Sequence, residues 1–242
     1  MLLLGPELTL LLGIDTCGPS GSVALGRLAG QSIEILGQIE LEGRSYSSTL
    51  VAAVGDLLAQ RGVSLREVGA IVAVNGPGSF TGVRVGLAAV KGLAEATEIP
   101  VVAVSRLEVL AAKTGVSAAA LDAHRHEIFL RLGGPAKAAA GSEDIGGQAR
   151  ELLAGAGELA AIKPPLRIAV CDEAAAVLLG QAWPEAELVR TAAPNATDAL
   201  KLCAPRAAAG QFVDLALLDG HYLRRSDAEI FGEPVAATPE RA

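Results

Sequence analysis

Aromatic residues are almost missing from this chain: one Trp, two Tyr and four Phe make up 3% of its 242 residues. Its core must therefore be built from Ala, Val, Leu and Ile, which lets helices approach one another closely and leaves few large anchors. Cysteine is scarce too. Cys17, Cys171 and Cys203 stand far apart with no C-x-x-C spacing, which argues against a zinc knuckle or a disulfide framework and predicts reduced thiols. There is no excess of positive charge, the formal net charge being −7. That argues against a broad basic footprint and leaves any RNA contact to a local patch or a partner. No run reaches the roughly 18 uninterrupted apolar residues of a membrane span. The apolar start MLLLGPELTLLLG lacks a basic flank and is broken by Pro6 and Glu7, so no secretory signal is expected and a cytoplasmic protein is. With 51% hydrophobic and 19% charged residues the chain is not disordered, and its length allows one large or two small domains.

What the chain does have is a glycine-rich run, GPGSFTGVRVG, at residues 76–86. Ahead of it, AIVAV at residues 70–74 is the continuous apolar run of a parallel strand buried on both faces. Thr81 is expected to cap a helix from Gly82 to about Glu98, which continues with no proline and an Ala/Val/Leu stripe. Two readings of this strand, glycine loop and helix fit the residues. Free N–H groups at a helix N-terminus, approached through glycines, bind anions such as phosphate; alternatively the glycines only let the helix pack close to the sheet. A Walker loop is absent, because the helix start reads Thr81-Gly82-Val83 and the first cation is Arg84.

Around this unit the pattern is α/β. Residues 9–14, 22–27 and 33–41 read as three antiparallel strands, the first two a hairpin. After Gly43 a helix follows, its apolar face marked by Tyr46, Leu50, Val54, Leu57 and Leu58, and Gly62 ends it. Ser64 to Glu67 and Ser105 to Glu108 are capping-box patterns, the second opening a helix to about Lys113 after a strand at residues 101–104. The order βββαβαβ describes a mixed sheet with helices on its faces. Residues 118–121 and 127–132 read as a second hairpin around Asp122 to His126, and residues 133–147 carry no periodicity, so a flexible excursion is expected. A helix near residues 148–160, a strand at 167–171 and a helix at 173–179 complete a smaller lobe. Asn195 or Thr197 is expected to cap a helix through about Ala208 that Pro205 kinks or shortens. The tail carries the strand-like run HYLRRSD, beginning at His221.

Taken together, Gly13-Ile14-Asp15-Thr16 with Ser22-Val23-Ala24-Leu25, the whole 76–86 motif with Lys91-Gly92-Leu93, Val104-Ser105 with Leu107, Asp122-Ala123 with Glu127, and Tyr222-Leu223-Arg224 resemble the TsaB (YeaZ) family. That family serves bacterial tRNA threonylcarbamoyladenosine biosynthesis and sits in the glycoprotease-like branch of the actin/Hsp70/sugar-kinase fold. Order and spacing agree over residues 10–60 and 70–130, whereas residues 133–190 match poorly. The resemblance implies two ribonuclease H-like lobes with mixed sheets flanked by helices, the second lobe reduced. Residues 1–106 form the first lobe, joined by a returning helix at about 195–210; residues 107–194 form the second, and 211–242 a tail. It further implies a non-catalytic scaffold and activator that pairs with a TsaD-like paralogue and a TsaE-like ATPase. The complex attaches threonylcarbamoyl to the adenosine next to the anticodon of tRNAs reading ANN codons, reaches tRNA as a complex, and holds ATP or ADP only when assembled. Alone, such a chain can pair with a second copy of itself.

The residues themselves leave several sites to weigh. Asp15 and Thr16 with Gly76, Gly78 and Ser79 are the candidate phosphate loop, Asp15 holding Mg²⁺ through water or simply bonding backbone groups at its strand end. An ATPase or kinase using them is the alternative function. The resemblance implies paired histidines that hold the catalytic paralogue's metal; they have no counterpart in RSYSSTLVAAV at residues 44–54, which argues against a metalloprotease. His124 and His126 with Asp122 or Glu127 suit either a metal site or a polar hairpin turn; the turn is preferred because no third ligand is visible. His221 is read as a lone surface residue. The stripe Gly82, Gly86, Val90, Leu93 and the facing Tyr46, Leu50, Val54 are the expected partner interface, because a helix of roughly 25 Å carries apolar residues beyond one face. Arg84 and Lys91 are candidates for polar contacts there. Gly220, where relatives usually have proline, and Pro205 depart from the family pattern.

Overall fold

Residues 10–43, 45–133 and 149–224 are described by the computed structural model. The first hairpin forms as the alternation predicts: β1 (Leu10–Asp15) pairs antiparallel with β2 (Ser20–Ala29), and β2 with β3 (Ser32–Glu42). Every residue of β1 and of β4 (Ala70–Val74) is buried. That is the property of strands covered on both faces, and both lie inside the sheet, with β4 parallel to β1 and β5 (Val101–Val104) parallel to β4. The order is β3-β2-β1-β4-β5. Helices α1 (Tyr46–Gln60) and α2 (Phe80–Thr97) pack side by side on one face. The other face takes α6 (Ala196–Ala208), whose Leu200 fills the space left by the missing side chain of Gly13. Pro205 stays inside α6, which runs on to Ala208.

After α3 (Arg106–Thr114) a second sheet repeats the plan. Strands β6 (Ala119–Asp122), β7 (Ile128–Leu132) and β8 (Arg150–Ala154) are antiparallel, and β9 (Arg167–Val170) and β10 (Glu187–Arg190) continue in parallel beyond β6. Its order, β10-β9-β6-β7-β8, is the first sheet's order read from the other edge. One apolar cluster joins α3 to this sheet, and a second joins it to α4 (Ala156–Ala161) and α5 (Glu173–Ala182). Two ribonuclease H-like lobes of the actin/Hsp70/sugar-kinase type, the second with shorter strands, are therefore the architecture.

Four local expectations change. The helix expected near residues 148–160 is a strand followed by one short helix, because Glu151, Leu152 and Leu153 find a ladder on β7 and sheet pairing overrides helix propensity. Strand β10 was not foreseen; it is a four-residue, half-exposed edge. The cap of α2 is Ser79, whose Oγ accepts from the Gly82 N–H at 3.3 Å, and Thr81 lies inside the first turn. Ser105 caps α3 as expected, but Glu108 pairs with Arg206 of α6 instead of closing the box. The apolar start, the excursion after Gly133, Arg44, Gln148 and the tail beyond Arg224 lie outside the described residues.

Candidate functional site

The glycines of the 76–86 motif are spent on packing. At Gly78 a Cβ would run into the Cys17 carbonyl, at Gly82 into the Thr16 carbonyl and at Gly86 into the Thr16 hydroxyl, each well inside the 3.0 Å that real Cβ atoms keep. Gly76 has φ +110°, open only to glycine. Three amides around the helix start bond within the chain: Ser79 N–H donates to the Cys17 carbonyl at 2.8 Å, Gly82 N–H to Ser79 Oγ at 3.3 Å and Val83 N–H to the Ser79 carbonyl at 2.9 Å. Thr16 Oγ1 in turn donates to the Gly82 carbonyl at 2.7 Å. Helix α2 is thus seated directly on the loop that leaves β1.

Asp15 is equally committed. It is 1% exposed. Its Oδ1 accepts the Cys17 N–H at 2.8 Å, and its Oδ2 lies 3.5 Å from Nε of the buried Arg106. That ion pair lacks hydrogen-bond alignment, for Arg106 Nε has no hydrogen-bond partner. Burial works against the Arg106 charge, but Asp15 and the neighbouring thiols more than compensate and raise its pKa. Burial first, then Asp15, pushes the Cys17 thiol well up. Asp15, Thr16, Gly76, Gly78 and Ser79 do come together, as expected. They form a closely packed turn, with a guanidinium against the carboxylate.

On the helices, the expected interface residues separate into two sets. Tyr46, Leu50, Val54, Gly82, Gly86 and Val90 point inward and are buried in the chain's own core. Tyr46 also donates through its hydroxyl to the Gly18 carbonyl at 2.9 Å, and burial pushes its pKa up to about 12. Leu93 is half-buried and Arg84 exposed. The outward surface of the same two helices mixes small apolar residues, Val51, Ala52, Gly55 and Ala59 on α1 and Ala88, Gly92 and Ala96 on α2, with the polar Ser47, Ser48 and Asp56 on α1 and Arg84, Lys91 and Glu95 on α2. Val51 is 61% exposed. Nothing lies within 4 Å of a Cβ placed on Gly55 or Gly92, so neither glycine is required by this chain's own packing.

A polar cluster that sequence reasoning missed lies where the lobes meet. Glu151 of β8 accepts from Ser105 Oγ at 2.6 Å and from Arg131 Nη1 at 2.7 Å. His221 Nε2 is 2.8 Å from the same carboxylate, off the hydrogen-bond line. Burial alone would raise the Glu151 pKa; His221, Ser105 and Arg131 outweigh it and hold it below the usual carboxylate range. His221 is therefore not alone, although a single histidine in a polar run gives no sign of its partner. The described part of HYLRRSD is no strand; it ties the lobes, His221 N–H donating to the Asn75 carbonyl at 2.7 Å and Arg224 to the Ala123 carbonyl at 2.6 Å and to Glu127. His124 and His126 sit in a left-handed hairpin turn, with His124 Nδ1 2.9 Å from Asp122. No cluster of three or more potential metal ligands occurs among the described residues.

Fold and site together define a two-lobed protein of the actin/Hsp70/sugar-kinase type whose α2 packs closely on the turn after β1. The family described as TsaD, tRNA N6-adenosine threonylcarbamoyltransferase, matches residues 35–164, more than half of the chain. The tRNA threonylcarbamoyladenosine biosynthesis protein TsaB of Escherichia coli K12 is 35% identical over 125 residues, 49% of this chain and 52% of the relative. TsaB of Bacillus subtilis 168 is 34% identical over 126 residues, 50% and 54% of the two chains. The chain thus spans about half the length of these curated relatives. A Pseudomonas aeruginosa protein described as similar to peptidase YEAZ superposes with TM-score 0.69 at 28% identity, covering 89% of this chain and all of the other. The chain belongs to the glycoprotease-like family of TsaD and TsaB, on its TsaB (YeaZ) branch.

Proposed function

We propose that this chain is the non-catalytic scaffold and activating subunit of the assembly that forms threonylcarbamoyladenosine next to the anticodon of tRNAs reading ANN codons. It pairs with a TsaD-like paralogue, supports a TsaE-like ATPase, reaches tRNA through the assembly, and works in the cytoplasm. It has no cofactor of its own, and ATP or ADP is held only in the assembled complex. The observation that supports this reading is the outward side of α1 and α2, where exposed small residues, among them Gly55 and Gly92, continue past what the sheet buries, with charged residues beside them. Small residues let a facing helix pair come close, and exposed glycines inside helices each cost about 1 kcal/mol relative to alanine. A partner's backbone gives a reason for them that the isolated chain does not. No helix of the described residues is long and apolar enough to cross a membrane.

Size-exclusion chromatography with light scattering, on this chain alone and mixed with its organism's TsaD-like protein, tests the reading. Gly55→Arg and Gly92→Arg have open space in the isolated chain, so both variants fold. The expected result is a heterodimer for the natural chain and its loss in the double variant. A heterodimer that survives both arginines moves the interface elsewhere, and no association under any nucleotide condition sinks the scaffold reading. An ATPase or kinase acting through Asp15 is disfavoured by the closely packed turn.

A further inference from the structure

A cleft of about 560 Å³ opens between α2 and the tail, with Phe80, Arg84, Lys91, Asp219, Tyr222 and Arg224 in its wall. The Arg84 guanidinium stacks 3.7 Å from the centroid of the Phe80 ring and 6.0 Å from that of Tyr222, and the two rings are 5.2 Å apart. Stacking fixes a side chain that would otherwise lose rotamer entropy on binding, and it leaves the N–H fork free. Arg27, Arg106, Arg131, Arg167, Arg190, Arg206 and Arg224 each pair with a carboxylate. Among the described residues no ion pair involves Arg84 or Lys91. Lys91 follows two turns on, roughly 10 Å along the helix. Arg224 adds a cation already committed to Glu127, and the Asp219 carboxylate on the rim accepts the Gly220 N–H at 2.7 Å.

In a chain of net charge −7, two unpaired cations aimed along one cleft are the local basic patch that composition leaves room for. The Phe80 face is taken by Arg84, so it offers no platform to the base of a mononucleotide, and cations spread along a helix suit successive phosphates better than one phosphate group. Resting on the function proposed above, we propose that this cleft takes the phosphodiester backbone of an RNA strand, with Arg84 and Lys91 each contacting a phosphate.

Fluorescence anisotropy of labelled anticodon-arm RNA, titrated with the full chain between 50 and 200 mM salt, tests it. Two phosphate contacts to a single strand predict an affinity that falls about sevenfold over that range, against about 2.6-fold for Arg84→Gln or Lys91→Gln alone. The double variant should lose both affinity and salt dependence, while Lys163→Gln, an exposed cation elsewhere, should change neither. An unchanged slope in the double variant, or no binding by the natural chain, overturns the assignment. So does displacement of the RNA by a mononucleotide at equal phosphate concentration, which would make the cleft a nucleotide site. Light scattering with the TsaD-like protein on the same variants separates the two readings. Failure of the scaffold shows as absent pairing with RNA affinity intact, and failure of the cleft as normal pairing with RNA affinity unmoved by the substitutions.

Discussion

Replacing the glycines of α2 one at a time by alanine should give three different answers. A helix-interior alanine gains up to about 1 kcal/mol over glycine from backbone entropy alone. At Gly92 nothing lies within 4 Å of the new methyl, so Gly92→Ala should stabilise the protein by roughly that 1 kcal/mol. At Gly86 the obstacle is the Thr16 hydroxyl, which can rotate away but then surrenders its hydrogen bond to the Gly82 carbonyl, a loss of about 1 kcal/mol that cancels the gain. At Gly82 the obstacle is the Thr16 backbone carbonyl, which cannot rotate. The first turn of α2 must lift off the loop, and overpacking of about 3 kcal/mol less the propensity gain leaves a net loss near 2 kcal/mol. Urea denaturation followed by circular dichroism reads all three, with midpoints compared at constant m-value. If Gly82→Ala proves neutral or stabilising, α2 is not seated on Thr16 and the close-packing argument falls with it.

Glu151→Gln should flatten the acid limb of the stability curve. A carboxylate held below its ordinary range adds stability above its unfolded pKa of about 4.3 and loses it as pH falls through the lower folded value, so the difference between natural and variant chains should vanish in acid. At neutral pH the same substitution leaves Arg131, 11% exposed, without its counter-ion, a loss of about 3 kcal/mol by denaturant titration. Tyr46→Phe removes the donor to the Gly18 carbonyl and should cost about 1 to 2 kcal/mol on the same assay. In thiol titration of the native protein Cys171 should react first, slowly, because burial raises its pKa less completely than that of the fully buried Cys17 and Cys203, the last pushed up to about 12. Rapid reaction of Cys17 would contradict its place under Val74, to whose carbonyl its Sγ donates at 3.3 Å.

The strands of the first lobe were legible because their burial is written into composition: AIVAV has one structural use, and the hairpin strands carry turn residues between them. Strand β8 was not, since RELLA is as good a helix as a strand until β7 supplies a ladder. The expected interface residues are mostly buried in the chain's own core for a related reason. Hydrophobic periodicity finds the stripe that is most apolar, and in α1 and α2 that stripe is the one buried at home. The outward stripe of Ala, Gly and Val passes for ordinary surface until the helices are seated. Arg106 left no mark at all, since one arginine after a capping serine reads as solvated, and only the fold brings it to Asp15.

The distribution of paired and unpaired groups bears on the function proposed above. At the junction of the lobes the polar groups answer one another: Asp15 with Arg106, Glu151 with Ser105 and Arg131, Glu108 with Arg206, Lys113 with Asp198, Arg224 with Glu127. These pairs join sheet to helix and lobe to lobe. Among the described residues, the small exposed residues of α1 and α2 and the stacked Arg84 with Lys91 beside them lie outside these pairs. Paired ions inside and unpaired surface outside agree with the proposal that this chain acts by what it holds in place.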